Sequence, residues 1–215
     1  MSAAPDASGV RRVARLSRRA LDDALAQVNW QGDGAPALDL RADAYGHGAA
    51  EIEAAARAHG ASHFVRDGGP VQARDASTEI YGFNADQHPI LSLEGEVVAV
   101  KTVSAGTPVS YGYTYVTTQE STLALVALGY ADGVPRSASN RATVRIGDTR
   151  GVIAGRIAMD QLVVDLGPSS PMVGDTAVLW SDSGSLAAWC TATERTGAQL
   201  TARLGPRIMR VWSDE

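Results

Sequence analysis

Lysine is nearly missing from this chain of 215 residues: of its 19 basic residues, all but Lys101 are arginine. Any chemistry that needs a side-chain amine has one residue to draw on. Cysteine occurs once, as Cys190, which excludes an internal disulfide and points to a reducing cytoplasm. Cys190 lies in an apolar helical pattern and reads as a core thiol rather than a nucleophile. Aromatic content is low, at 6%. No apolar run approaches the ~18 residues that suggest a membrane span. A surplus of positive charge is also lacking: the net charge of −5 argues against general nucleic-acid binding. No metal centre is expected. What remains, 45% hydrophobic and 20% charged, fits a globular protein of one large or two small domains.

Residues 1–10 are small and polar and read as a disordered lead-in. Arg11, Arg12, Arg15, Arg18 and Arg19 follow, with no apolar stretch behind them, so the tract does not read as a targeting signal. Leu16, Ala20, Leu21, Ala24, Leu25 and Val28 recur at helical spacing, and Ser17 is placed to cap. The arginines then form a solvated helix face, or alternatively a contact for an acidic partner. After a loop at 31–36, the apolar run 37–40 predicts a strand. It leads into Arg41-Ala-Asp-Ala-Tyr-Gly-His-Gly48 and then a helix over 49–58, closed by His59-Gly60. Strand, glycine-bounded turn and helix make one βα unit, and such turns carry ligand chemistry. A second short strand follows at 63–65.

From Leu91 onward the texture changes to alternating, β-branched runs. Strands are expected over 96–103, 123–128, 143–146, 152–154, 162–166 and 176–180, with turns at Gly147-Asp148 and Gly174-Asp175. Strands repeating this closely favour a sandwich or barrel-like module. Leu186, Trp189, Cys190 and Thr193 fit a short helix, 200–204 another, and 208–212 returns as a strand. Asp132 and Asp160 read as acceptors for turn amides, and His47 and His63 as structural histidines.

The stretch Ala42-Asp-Ala-Tyr-Gly-His-Gly48 resembles the motif of alanine racemases, which use pyridoxal phosphate (PLP) and place a lysine before it. Five ordered segments resemble that family's C-terminal domain: Val97 to Val103, Gly106 to Tyr115, Gly129-Tyr-Ala-Asp-Gly-Val-Pro-Arg136, Gly155-Arg-Ile-Ala-Met-Asp-Gln161 and Arg207-Ile-Met-Arg210. The resemblance implies a TIM-type barrel followed by a β domain, with PLP linked to the lysine. It also implies a head-to-tail dimer in which the second subunit supplies the tyrosine of GYADG. Carried over, that catalytic tyrosine is Tyr130, Arg156 and Met159 belong to the entry channel, and Tyr45 lies near the cofactor. Arg41 replaces the lysine. Ile80-Tyr81-Gly82 resembles the motif that closes the family's barrel. Six residues before Tyr81, where the family has an arginine against the cofactor ring, stands Asp75, with Arg74 beside it. Ser77 replaces a glycine that helps seat the phosphate.

A full (β/α)8 barrel takes about 250 residues, and the region before residue 85 has room for roughly two units of ~30 residues each. The fold expected is therefore α+β. A small α/β remnant of a TIM-type barrel covers 11–85, and a mainly antiparallel β domain covers 86–215. An arginine guanidinium is neither an imine-forming nucleophile nor a general base, so PLP is not expected to be bound covalently. Lys101 falls in a β run. The expectation is a cytoplasmic binding or regulatory homologue rather than a self-sufficient racemase. It forms a homodimer, or a heteromer with a full-length racemase. A PLP-dependent alanine racemase acting with another chain is the alternative.

Overall fold

The structure is a computed structural model that describes residues 9–32, 34–69, 75–84 and 87–214. Most of the expected lead-in, and Arg74, lie outside the described residues. In chain order the first elements are β1 (Arg12–Ser17), α1 (Arg18–Ala26), β2 (Leu38–Asp39), α2 (Arg41–Gly46), α3 (Ala49–Ala58), β3 (Phe64–Val65) and α4 (Ser77–Ile80). The strands β4 (Leu91–Val103), β5 (Pro108–Val109), β6 (Tyr115–Val116), β7 (Ser121–Val126), β8 (Thr143–Ile146), β9 (Thr149–Ile153), β10 (Leu162–Asp165) and β11 (Thr176–Trp180) follow. The chain closes with α5 (Ser183–Thr193), α6 (Gly197–Thr201) and β12 (Met209–Ser213).

The β half is built around β4. Its first eight residues alternate between buried and half-buried positions, the period of a strand with one face on a core. It pairs with β7 along its second half and with β11 along its first, both antiparallel. The order β11-β8-β9-β10-β7-β4, closed by the β11–β4 pairing, makes a six-stranded barrel. Closure leaves those strands without free edges. Trp180 and Trp189 pack edge to face at 5.5 Å. Their indole N–H groups donate to the Leu91 and Thr143 carbonyls, so large apolar rings are buried with no polar atom stranded. Asp182 and Ser185 form a reciprocal cap on α5, and Thr196 and Gln199 one on α6.

The N-terminal tract departs from expectation. Residues 12–17 are a strand, not the start of a helix: β1 pairs antiparallel with β4 and parallel with β12. Arg12 is buried rather than on a solvated face. Alternating Val13, Ala14, Leu16 fit either period, and the waiting edge of β4 decides in favour of strand. Ser17 does cap α1, accepting from the Ala20 amide at 3.0 Å, and Leu21 and Leu25 form its buried face.

The region between is small. β2 and β3 pair in parallel over two residues each, with α3 between them in sequence, and Ala37 bridges to Asp75 in parallel. This is the one βα unit expected from the pattern, with a second short strand. Cys190 is only partly buried, and burial raises its thiol pKa, which fits a core-edge thiol and not a nucleophile.

Candidate functional site

The expected site residues fall into two clusters, one on each half. Among the described residues, no hydrogen bond or ring contact joins Arg41 or Tyr45 to Tyr130, Arg156 or Met159.

The first cluster surrounds α2. Ala42, Asp43, Ala44 and Tyr45 all have φ between 51° and 57°, so the segment is one turn of left-handed helix. Each such residue costs roughly 1–2 kcal/mol, and the surroundings must hold the turn in place. The Asp43 carboxylate accepts from the Ala49 amide at 2.8 Å and so caps α3 from outside. Gly46, at φ 83°, lies where a Cβ would sit 2.4 Å from the Thr201 carbonyl oxygen. Arg210 donates to the Gly46 carbonyl at 3.0 Å and to the carbonyls of Leu204, Gly205 and Ile208. His47 is buried, with Nδ1 2.9 Å from the Ala44 carbonyl, its ring 4.7 Å from that of Tyr81, and Nε2 without a partner among the described residues. Burial pushes its pKa down to about 4, so it is a neutral structural histidine.

Asp39 is the centre of this cluster. It is 1% exposed, and its carboxylate accepts from the Arg41 amide and Nε, each at 2.9 Å, from Arg41 Nη2, and from the Tyr45 hydroxyl at 2.7 Å. Burial alone would raise its pKa, but the Arg41 and Tyr45 bonds outweigh that and hold it below the usual carboxylate value. Burial and Asp39 push the Tyr45 hydroxyl up to about 12. The Tyr81 hydroxyl donates to the Asp39 carbonyl at 2.8 Å, and the Ser77 hydroxyl accepts from the Asp39 amide at 2.8 Å while itself bonding Asp75.

The second cluster sits on the barrel. Tyr130 opens a single 3-10 turn over Tyr130–Asp132, packed against the segment before β10. The Tyr130 and Ala131 amides each donate at 3.0 Å, to Ala158 and Met159. A Cβ on Gly129 would meet the Met159 carbonyl oxygen at 2.2 Å, so only glycine permits this approach. Asp132 is fully buried. It accepts from the Gly129 amide at 2.8 Å, as expected, and also from Arg207 at 3.0 Å, with Arg12 at 3.7 Å. Burial leaves its pKa raised despite these partners. Asp160 departs from expectation: its carboxylate pairs with Arg207 at 2.6 Å instead of holding a turn amide.

Above this framework lies an exposed aromatic and arginine face. Tyr130 is 39% exposed, Met159 54% and Tyr113 70%. The Arg136 guanidinium stacks 5.5 Å over the Tyr130 ring and reaches the Tyr111 hydroxyl. Tyr111 donates to the Ile157 carbonyl at 3.1 Å, and the Arg156 guanidinium packs on Gly112. Arg156 and Met159 thus flank the segment against which the Tyr130 turn packs. Arg136 and Tyr111 were not singled out, although both lie within the resembling segments. Lys101 is on the exposed half of β4, opposite Leu123.

The chain superposes on an alanine racemase from Streptomyces coelicolor with a TM-score of 0.85 at 21% identity, covering 95% of this chain and 98% of that one. The sequence family described as alanine racemase, C-terminal domain, matches residues 90–212, and the chain belongs to that family. A curated alanine racemase from Beutenbergia cavernae is 40% identical over 161 residues, covering 72% of this chain and 43% of that protein. One from Streptomyces coelicolor is 42% identical over 162 residues, covering 72% and 41%. The chain thus spans under half the length of these curated relatives.

Alanine racemases depend on PLP. The residues here do not fit a lysine-linked cofactor. Position 41 offers a guanidinium already tied to a buried carboxylate, the Tyr45 hydroxyl is committed to the same carboxylate, and Lys101 lies in the barrel sheet. No helix among the described residues is long and apolar enough to cross a membrane.

Proposed function

We propose that this chain is an alanine-racemase homologue that binds, and does not racemise alanine by itself. In this reading residues 11–85 are an α/β remnant of a TIM-type barrel and 86–215 a β domain, with β1 lent to the latter's sheet. The β domain presents Tyr130, with Arg156 and Met159 beside it, to a full-length alanine racemase in the cytoplasm. The protein is then a regulatory or dimer-forming partner without covalent PLP. The observation that supports this most is the asymmetry between the clusters. Tyr130 sits exposed on a turn fixed by Asp132, Arg12 and Arg207, whereas the group at position 41 has no amine.

A tagged full-length alanine racemase is expected to co-elute with this chain, and Met159→Asp is expected to weaken the complex at least tenfold. A strictly homomeric species with no affinity for the enzyme defeats the pairing. The second reading, an alanine racemase acting with another chain, is favoured by the same exposed Tyr130. It predicts that Tyr130→Phe abolishes any activity gained on mixing. Rescue of a D-alanine-requiring strain by this chain alone overturns the binding reading.

A further inference from the structure

We propose that Asp39 and Arg41 are a co-adapted pair that has turned the position of the cofactor lysine into an internal clamp. Lysine at position 41 alone therefore would not restore a site of cofactor attachment. The inference goes beyond the binding reading, because it concerns the isolated chain and stands or falls whether or not a partner is met.

Three observations carry it. First, Asp39 is 1% exposed at the end of β2, and a carboxylate so placed requires a cation or donors of its own. Both of its oxygens are occupied, by Arg41 Nε and Nη2 and by the Tyr45 hydroxyl. Second, the donors lie at the two ends of the left-handed turn. Arg41 opens it and Tyr45 is its last residue with a non-glycine positive φ, so Asp39 ties the turn across its own length. Third, Asp75 accepts from the Ser77 amide and hydroxyl, and that hydroxyl accepts from the Asp39 amide, so a second carboxylate belongs to the same cluster, where Arg41 is the opposing charge. A phosphate ester beside Tyr45 would meet two carboxylates.

The chemical consequence concerns the amine. A lysine forms an imine when the lone pair of neutral Nζ attacks the aldehyde carbon and water leaves. With a buried carboxylate alongside, Nζ is held as the ammonium, which has no lone pair. The cluster that suits arginine therefore disables lysine.

The test uses the full chain carrying Arg41→Lys, or Asp39→Asn with Arg41→Lys, incubated with PLP and reduced with borohydride. Hydride addition converts any imine to a stable pyridoxyl amine, which peptide mass spectrometry maps. Lys101 is the internal control. In the single variant, labelling at position 41 is expected not to exceed that at Lys101. In the double variant it is expected to rise about tenfold, as for an amine pKa lowered by one unit. Preferential labelling at 41 in the single variant, or no rise in the double, overturns the proposal. A second measurement guards against misfolding. Arg41→Met is expected to melt lower than Asp39→Asn with Arg41→Met, since the single change leaves Asp39 buried and unpaired. Equal or reversed melting temperatures overturn the clamp.

Discussion

The two halves solve the same problem of holding a polar turn in place, and they solve it differently. The Tyr130 turn rests on a closed barrel. Its amides bond the backbone of the segment before β10, and Asp132 is fixed by Arg207 with Arg12 beside it. The left-handed turn at 42–45 has beneath it a two-residue parallel pair, and side chains do most of the holding: Asp39, Arg41, Tyr45 and Arg210. A backbone lattice closed on itself tolerates the loss of one side chain, whereas a turn held by a few charged groups does not. The second arrangement is what a βα unit requires when few neighbouring strands support it.

The contrast can be broken most directly at Arg210. Arg210→Ala removes donors to the Gly46, Leu204, Gly205 and Ile208 carbonyls at once. It is expected to cost about 4 kcal/mol. Urea melts measure the loss, and amide exchange locates it: faster exchange at 41–48 with β7 and β10 unchanged fits the contrast, and equal acceleration in the barrel contradicts it.

A smaller effect comes from acid. The His47 pKa is about 4 in the folded chain, against about 6.5 in the unfolded one. The unfolded state therefore binds the proton more readily. Stability from this group is fully present above about pH 6.5 and is lost as pH falls towards 4, by about 3 kcal/mol at most. His47→Gln should flatten the stability profile across that window, and an unaltered slope would show that another group sets it.

The smallest change sharpens the barrel side. Asp182→Ala removes the cap of α5 and is expected to cost about 1 kcal/mol. Circular dichroism and exchange should place the loss in α5 alone, leaving the pairing of β4 with β11 intact.

Much of this was legible in the sequence. Period-two patterning located the strands of the barrel, and Gly147 and Gly174 marked turns that the structure contains. Ser17, His59 and Gly60 signalled helix ends correctly. What failed was context. The tract 12–17 carries helix-compatible residues, and only the open edge of β4 makes it a strand. The left-handed turn was invisible because alanine and tyrosine at 42, 44 and 45 disfavour positive φ and the single aspartate between them is too weak a signal. Its causes lie at Thr201 and Arg210, far along the chain. Asp39 could have been noticed: a carboxylate two residues before Arg41 is within reach of its long guanidinium side chain. Asp160 was misassigned because its partner, Arg207, is distant in sequence.

The position of β1 carries a consequence for the order in which the molecule is made. Its residues 13–17 pair with 209–213 on one side, while 12–16 pair with the start of β4 on the other. During synthesis from the N-terminus, β4 becomes available before β12, which follows every other described strand in sequence. β1 precedes both of its partners in sequence and has both edges covered only once β12 has emerged. Arg12, within it, reaches Asp132 only once the barrel exists. The segment that anchors the Tyr130 turn is therefore held in place only by strands translated after it.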